Sequence, residues 1–448
     1  MSGRLVLCRG AAMAALAIAP VCTLPLANAV SPPPIDDSRL PRSAPARPPR
    51  PTVQREICAV SSARPEAGVS QLSGIDLQQV WKLTSGAGQR VAVIDTGVAP
   101  HLRLPHLAAG GDYVFTGDGT QDCDGHGTVV AGIIGAATDP NHVDDFSGVA
   151  PGVELISIRQ SSTKFAAASA PTKSGFGDVD TMARAVRTAA DLGATVINIS
   201  SVACARNGSG LDDRPLGAAL AYAVETKNVV VVAAAGNTGT GPCHARQSDP
   251  PVVVSPAWYD DYVLTVGSVN AQGDPSSFTL AGPWVDVAAP GEGVLSLNSS
   301  ADGLANVLDG PEGWTPLSGT SYAAPVVSGL AALIRSRFPA WTARQVMQRI
   351  KATAHHPPGG WDPRVGAGRV DFLAAVSTDT PTAPTPPAAR TVAPVAEPAP
   401  ADHRARHEAF VGAAVCGGLM ASVLAGSALR TRLRRADRSS HGGTVLRD

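Results

Sequence analysis

One serine of this 448-residue chain stands in a segment whose composition suits nucleophilic chemistry. Ser321 lies in Ser318-Gly-Thr-Ser-Tyr-Ala-Ala-Pro325, a turn of small residues, and the apolar run over residues 322–338 that follows predicts a buried helix. A hydroxyl at the N-terminus of a helix lies in a positive field that stabilises developing negative charge. Because serine alone is a weak nucleophile, catalysis would also require a base and a group that orients the base.

Candidates for both groups lie upstream of this serine. His126 stands between glycines in Asp124-Gly-His-Gly-Thr128, and histidine accepts and returns protons near neutral pH. Asp95, in Val93-Ile-Asp-Thr-Gly97, ends a predicted strand, which is where open α/β sheets place their sites. Asp-Thr-Gly is also typical of aspartic proteases, but those enzymes need a second such motif and this sequence contains no other. We therefore expect Asp95 to orient His126, and His126 to activate Ser321.

Between residues 71 and 376, short β-branched runs alternate with helical patterns. Strands are predicted over residues 90–94, 155–158, 195–199 and 229–234, and helices over residues 132–137, 179–192 and 216–226. This alternation predicts an α/β fold, in which a mostly parallel sheet carries helices on both faces in three layers. We expect residues 71–376 to form one domain that positions the three side chains.

The N-terminal residues have a different composition. Residues 1–29 match a secretory signal peptide, with basic residues, an apolar run over residues 11–26 and a small-residue cleavage site at Ala27-Asn-Ala29. An uncleaved anchor helix is the alternative for this segment. Residues 30–70 begin with a stretch rich in Pro and Arg that has no helical or strand period, which predicts an extended arm.

Beyond the predicted domain, the chain indicates attachment to a membrane. Residues 377–408 are rich in Pro and Ala and predict a semi-rigid spacer. Residues 409–429 carry no charged side chain and could cross a bilayer core as a helix about 30 Å long. Arginines follow at once, which predicts that residues 430–448 form a cytoplasmic tail and that the domain faces outward from the plasma membrane.

Charge and ligand patterns exclude several function classes. The formal net charge is −1, from 36 basic and 37 acidic residues, so the chain has no basic excess for binding nucleic acid. Asp118, Asp122 and Asp124 hint at a calcium loop, but their spacing does not fit the EF-hand pattern. The sequence contains no His-Glu-x-x-His motif for zinc. We therefore predict neither a metal site nor a cofactor.

Four cysteines lie in the region predicted to face outward, and four cysteines allow three pairings. Cys204 and Cys243 each follow a predicted sheet strand, and pairing them leaves Cys58 to join Cys123. An oxidising compartment favours these two disulfides over the alternative of free thiols. Cys416 lies inside the predicted membrane span and is expected to be reduced.

The three motifs, in the order Asp, His, Ser, resemble those of the subtilisin-like serine proteases, the subtilases. The resemblance implies a subtilisin-like fold, peptide-bond cleavage through an acyl-enzyme on Ser321, and an oxyanion hole that includes the side chain of Asn237. It also implies a cleft that pairs with an extended peptide. By resemblance, this cleft is formed by Ser174, Gly175, Phe176, Gly177, Ser200, Ser201 and Val202. Because Ser200-Ser-Val202 departs from the Ser-Leu-Gly of secreted subtilisins, the resemblance does not define the primary specificity pocket.

Within the subtilases, the stretches over residues 117–126, 146–151, 155–160 and 196–204 resemble the mycosins, and so does the order of the terminal segments. That resemblance implies an endopeptidase that processes substrates of type VII secretion, supports the secretion membrane complex, and carries an arm wrapped around its domain. Two alternatives remain. The first is a scaffolding component with incidental proteolysis, and the second is a general degradative protease, for which a membrane anchor is ill suited.

Overall fold

A computed structural model describes residues 31–65, 70–141, 143–170, 175–206, 210–239, 243, 252–310 and 313–378. In chain order its strands are β1 Thr52–Gln54, β2 Val60–Ser62, β3 Arg90–Asp95, β4 Leu107–Asp112, β5 Glu154–Arg159, β6 Phe165–Ala167, β7 Val196–Ile199, β8 Ala203–Arg206, β9 Val230–Ala234, β10 Val252–Ser255, β11 Leu264–Val269, β12 Val287–Pro290, β13 Ser296–Leu297, β14 Leu304–Ala305, β15 Val307–Gly310 and β16 Gly313–Pro316. Its α-helices are α1 Leu77–Trp81, α2 His126–Gly135, α3 Val179–Asp191, α4 Arg214–Ala221, α5 Thr320–Arg337, α6 Ala343–Thr353 and α7 Phe372–Val376.

A seven-stranded sheet in the order β12-β11-β9-β7-β3-β5-β4 forms the centre of this fold, and every neighbouring pair in it is parallel. The inner strands β7 and β9 are buried along their whole length, as Val- and Ile-rich parallel strands are when both faces are covered. Helices α2 and α5 pack on each other and on the sheet, whereas α3 and α4 form a second packed pair. The predicted α/β class and layering therefore agree with the structure.

The four predicted strands lie within one residue of β3, β5, β7 and β9, whereas β4, β11 and β12 of the same sheet were not predicted. The helix predicted over residues 132–137 runs instead from His126 to Gly135. Its glycines and Thr128 have low helix propensity, so its start was not predicted, and the helix is stabilised by packing on α5. Strand β4 has the sequence Leu-Ala-Ala-Gly-Gly-Asp, which has little β-propensity, and it forms because β5 offers a partner along its edge.

The N-terminal arm lies along the domain and adds two short strands to it. Strand β1 pairs antiparallel with β6, and β2 pairs antiparallel with β15. The Thr52 hydroxyl donates a hydrogen bond to the Val114 carbonyl at 2.5 Å, and Arg39 forms an ion pair with Asp212 at 3.2 Å. The extended arm is thus anchored at several separate points.

Several predicted segments lie outside the described residues. These are the signal peptide over residues 1–29, nearly all of the spacer over residues 377–408, the membrane span over residues 409–429 and the tail over residues 430–448. In the part of the chain that the structure describes, none of the helices combines the length and the apolar character needed to cross a bilayer.

Candidate active site

The predicted catalytic residues lie at the ends of elements that meet along one edge of the sheet. Asp95 is the last residue of β3, and Asn237 follows β9, two strands away in the sheet order. His126 is the first residue of α2 and Ser321 is the second residue of α5. Because α2 and α5 pack on each other above these strands, the fold brings both helix N-termini to the carboxyl ends of β3 and β9.

Asp95 and His126 are in direct contact. Nδ1 of His126 lies 2.7 Å from Oδ1 of Asp95, whose side chain is only 2% exposed, and the Thr96 N–H donates to the same oxygen at 2.7 Å. Burial lowers the pKa of His126, but the nearby Asp95 carboxylate outweighs it, so the pKa lies above its ordinary value of 6.5. With Nδ1 held by Asp95, Nε2 is the ring nitrogen left for proton exchange.

The N-terminus of α2 lies so close to the end of β3 that the residue after His126 must be a glycine. A Cβ atom at Gly127 would lie 2.0 Å from the Gly97 carbonyl oxygen and 3.2 Å from Cβ of Asp95. The Gly127 N–H also donates to the Thr96 hydroxyl at 2.9 Å. Gly127 therefore permits the helix to start close enough to Asp95 for the 2.7 Å contact to His126.

Ser321 and Asn237 flank a single point beside Gly319. An ideal Cβ built on Gly319 would lie 3.0 Å from Oγ of Ser321, 3.2 Å from Nδ2 of Asn237 and 3.7 Å from the Ser321 backbone nitrogen. Thr320 holds the other end of the Asn237 amide, because its N–H and hydroxyl donate to Oδ1 at 3.0 and 2.9 Å. The amide is thereby oriented with its nitrogen on the serine side. The Ser321 hydroxyl oxygen, the Asn237 amide nitrogen and the Ser321 backbone nitrogen therefore all lie within 3.7 Å of this point.

Tyr322, the residue after Ser321, contacts the histidine. Its ring centroid lies 5.0 Å from that of His126, with the ring planes tilted by 37°. Tyr322 is buried, and burial beside Asp95 raises its pKa well above the ordinary value. The contact places the N-terminal turn of α5 against the imidazole of His126.

Sequence reasoning assigned no role to Asp122, whose carboxylate supports the start of α2. Its Oδ1 accepts from the Thr96 hydroxyl and the Gly125 N–H, both at 2.8 Å, and its Oδ2 accepts from the N–H and hydroxyl of Thr128 at 2.8 and 2.7 Å. Burial raises its pKa to about 6. An acidic residue shortly before a helix is the sequence signal that could have indicated this role.

Asp124 ties the histidine segment to the next loop of the site. Its carboxylate accepts hydrogen bonds from the hydroxyls of Ser162 and Thr163 and, at 2.7 Å, from the Thr163 N–H. Ser162 in turn exchanges backbone hydrogen bonds with Phe176 at 2.9 and 2.8 Å. In the described part of the chain, no group of three or more His, Cys, Asp or Glu side chains could hold a metal ion.

The residues predicted to form the cleft are placed unequally. Ser174 lies outside the described residues. Phe176 turns into a small buried cluster under Arg50 of the arm, so its ring packs instead of facing the cleft. Within the described residues, the backbone groups of Gly175 and Gly177 on either side of it have no hydrogen-bond partner.

The second cleft segment follows β7. Ser200 is buried and accepts a hydrogen bond from Asn198 at 2.8 Å, and Asn198 also accepts one from Ser328 of α5 at 2.8 Å. The backbone groups of Ser201 and Val202 have no partner among the described residues. A cavity of about 160 Å³ between the two cleft segments is lined by Gln160, Ser161, Gly177, Asp178, Val179, Met182, Ser201, Val202, Ala203, Leu216, Ser255 and Pro256.

Two disulfides are present, and they are the two pairings predicted. Cys58 of the arm joins Cys123, which lies three residues before His126. Cys204 joins Cys243 next to the antiparallel pair of β8 and β10. One disulfide therefore fixes the arm beside the histidine, and the other fixes the segment that follows Val202.

Comparison with known proteins gives a consistent set of relatives. The subtilase family matches residues 86–368. Mycosin-4 of Mycobacterium tuberculosis H37Rv is 63% identical over 429 residues, which cover 91% of this chain and 93% of that protein. Mycosin-3 of the same organism is 43% identical over 444 residues, covering 92% of this chain and 95% of that protein.

Solved structures with the same fold come from type VII secretion systems. The MycP3 protease from the type VII (ESX-3) secretion system matches with a TM-score of 0.70 and 45% identity, covering 78% of this chain and all of that one. A chain in the periplasmic assembly from the ESX-5 inner membrane complex matches with a TM-score of 0.74 and 42% identity, covering 83% of this chain and all of that one.

Proposed function

This chain belongs to the subtilase family and, within it, to the mycosins, and we propose that Asp95, His126 and Ser321 form the triad of a serine endopeptidase. The observation that carries the proposal is the 2.7 Å contact between Asp95 and His126 at the site where the N-terminal turns of α2 and α5 meet. The two N–H groups beside Ser321 supply the second requirement, a preformed site for negative charge.

The proposed reaction begins when Oγ of Ser321 attacks the scissile carbonyl carbon and Nε2 of His126 takes the hydroxyl proton. Asp95 keeps Nδ1 protonated and stabilises the imidazolium that forms. His126 then gives its proton to the leaving amine, which leaves an acyl group on Ser321. A water molecule, deprotonated by His126, attacks the acyl carbon and releases the second product.

The carbonyl oxygen becomes negative in both tetrahedral intermediates. The space beside Gly319 would hold this oxygen between Nδ2 of Asn237 and the Ser321 N–H. One such donor is worth about 2.7–4 kcal/mol of transition-state stabilisation. The two bonds from Thr320 to Oδ1 of Asn237 keep the amide from rotating, so the donor is in place before the reaction begins.

An extended peptide is the substrate that the cleft fits best. The unpaired backbone groups of Gly175 and Gly177 on one side, and of Ser201 and Val202 on the other, offer two edges for added-strand pairing. The cavity between these segments contains neither Ser321 nor Asn237 in its lining. It would therefore receive a substrate side chain some residues away from the scissile bond.

A fluorophosphonate probe tests this proposal in the full chain, because it reacts only with an activated serine. We expect labelling of the wild type and of Leu102→Ala, an exposed control, and none of Ser321→Ala. His126→Ala should label at least about 1000-fold more slowly. Labelling of His126→Ala at the wild-type rate would refute the triad.

We further propose that the enzyme is a single-pass plasma-membrane protein with its domain outside, and that it works with a type VII secretion complex. Support comes from the predicted segments at both termini and from the relatives found in ESX-3 and ESX-5 systems. Its substrates would be secreted proteins of that system. Protease protection of a C-terminal tag in intact cells, with the domain accessible, tests the orientation.

A mainly structural role is the second candidate, favoured by the match to chains within ESX-5 inner membrane assemblies. Ser321→Ala separates the two candidates, because it removes the nucleophile and leaves the surface unchanged. If secretion continues when peptide cleavage is lost, the chain acts mainly as a component of the complex. If secretion stops in cells that hold normal amounts of the variant, proteolysis is the required activity.

A further inference from the structure

The gap beside the reacting carbonyl is bounded by two segments that leave the sheet side by side. Strands β7 and β9 are neighbours, with Ile199 opposite Ala233. Residues 200–202 continue from one strand and residues 235–237 from the other. When Asn237 holds the carbonyl oxygen of the scissile bond, the substrate residue that carries this carbonyl lies at the gap. This residue is called P1. Among the described residues, Val202 and Gly236 face each other across this gap, and a P1 side chain would enter the protein there.

The side chains of Val202 and Leu280 lie close to Gly236 at this gap. A Cβ atom on Gly236 would lie 3.2 Å from Cγ2 of Val202 and 3.3 Å from Cδ2 of Leu280. These separations are tighter than nine in ten Cβ contacts, so a methyl group there would push its neighbours back by a few tenths of an ångström. Gly236 has a φ of +96°, which strains any larger residue there. On the Gly236 side the wall of the pocket has no side chain. The space for a P1 side chain is therefore limited by the side chain of Val202.

The turn at Gly236 is held in place by its backbone. Its N–H donates to the Thr320 hydroxyl at 3.2 Å, and its carbonyl accepts from the Leu280 N–H at 2.9 Å. Thr320 also orients Asn237. Moving this turn to admit a large side chain would therefore disturb the same hydroxyl that positions the oxyanion donor.

Val202 is held from the other side. It packs on a buried apolar cluster that includes Leu280, Val254 and Cys243, all less than a tenth exposed. The disulfide from Cys204 and the pairing of β8 with β10 fix the backbone just after Val202. Close-packed interiors do not yield without cost, so Val202 keeps its place when a substrate binds.

We infer that Val202 closes the primary specificity pocket and restricts P1 to Gly, Ala or Ser. This inference rests on the proposed function, since it assumes that the scissile carbonyl lies between Ser321 and Asn237. Each methylene that does not fit costs about 10- to 200-fold in selectivity. A P1 Phe or Leu should therefore react at least about 100-fold more slowly than Ala.

Two aminoalkyl diphenyl phosphonates that differ only in an Ala or Phe side chain test the inference on the full chain. In the reaction, Oγ of Ser321 forms a bond to phosphorus, one phosphorus–oxygen bond to phenol breaks, and phenol leaves with the serine proton relayed by His126. The second-order inactivation rate reports P1 fit without any need to know the natural substrate. Fluorophosphonate labelling of the same samples reports whether the site is assembled.

We expect the wild type to prefer the Ala compound by at least about 100-fold. Val202→Gly should raise the ratio of the Phe rate to the Ala rate on the order of 10-fold or more. Val143→Gly, the same change at an exposed position, should keep the wild-type preference. Val202→Ala is a milder variant that should shift the preference in the same direction if Val202→Gly does not fold.

Three results would overturn the inference. The wild type could react with both phosphonates at similar rates, or Val202→Gly and Val202→Ala could both label normally and keep the wild-type preference. In either case the proposed catalytic function stands and only the role of Val202 falls. If instead neither the phosphonates nor the fluorophosphonate label Ser321 in the wild type, the proposed function fails and the inference falls with it.

Discussion

Replacing Gly127 with alanine tests whether the approach of α2 to β3 controls catalysis. Helix propensity alone favours the substitution, because alanine stabilises a helix by about 1 kcal/mol over glycine. The local geometry opposes it, because the new Cβ would lie 2.0 Å from the Gly97 carbonyl oxygen, an atom of the backbone. No rotamer change can relieve such a contact, so the first turn of α2 must move.

The size of the movement sets the expected loss. Cβ contacts under 3.0 Å are essentially never observed, so the two segments must separate by about 1 Å. His126 precedes the substituted residue, and a displacement of about 1 Å in a catalytic group costs about 100-fold in rate. Overpacking of this kind also costs about 1–3 kcal/mol of stability, which exceeds the gain in helix propensity.

We therefore expect Gly127→Ala to remain folded while kcat/KM with a peptide substrate falls about 100-fold. The assay compares peptide cleavage, the fluorophosphonate labelling rate and the free energy of unfolding of the full chain. Gly303→Ala is the matched control, because a Cβ there meets no atom within 4 Å. It should leave all three quantities near their wild-type values. Unchanged kcat/KM in Gly127→Ala would refute the argument, since the clash would then be absorbed without moving His126.

Three further predictions concern charge and covalent links. Asp122→Asn removes a negative charge that raises the pKa of His126, so the acidic limb of the kcat/KM–pH profile should move to lower pH; a shift to higher pH would contradict this. Replacing Cys204 and Cys243 with serine opens a link of 39 residues and should lower the free energy of unfolding in urea by about 4 kcal/mol, whereas no loss would show that the link is dispensable. Burial raises the pKa of Asp286 from 3.8 to about 6. Between pH 3.8 and about pH 6, the folded protein therefore holds a proton on Asp286 that the unfolded chain releases. The free energy of unfolding of the wild type relative to Asp286→Asn should therefore fall by up to about 3 kcal/mol as pH rises through this window, and a rise would contradict the assignment.

Local sequence determined more of this site than of its surroundings. The positions of Asp95 at a strand end and of Ser321 in the first turn of a helix follow from apolar runs and small-residue turns, which are local signals. The support of Asn237 by Thr320 could not be predicted, because the two residues are 83 positions apart and meet only through packing of α5 on β9. Long-range contacts leave no periodic trace in a sequence.

The same limit applies to the cleft. Resemblance assigned Phe176 to it, whereas the ring is buried under Arg50 of an arm more than a hundred residues earlier in the chain. No local pattern predicts that pairing, since the register of β1 on β6 depends on the path of the whole arm. The resemblance identified the segment. Only the fold shows that the Phe176 side chain is buried, whereas the backbone groups of Gly175 and Gly177 have no partner among the described residues.

The placement of the arm bears on how the enzyme is controlled. An inhibitory segment would occupy the free backbone groups of the cleft, yet those of Gly177 and Ser201 have no partner among the described residues. The described arm instead pairs with β6 and β15 and is joined through Cys58 to Cys123, the residue between Asp122 and Asp124. Since these two carboxylates support the histidine segment, the arm adjoins the catalytic framework without filling the cleft. Activity should therefore not require removal of the arm, and full-length chain with residues 31–65 intact should label with the fluorophosphonate probe.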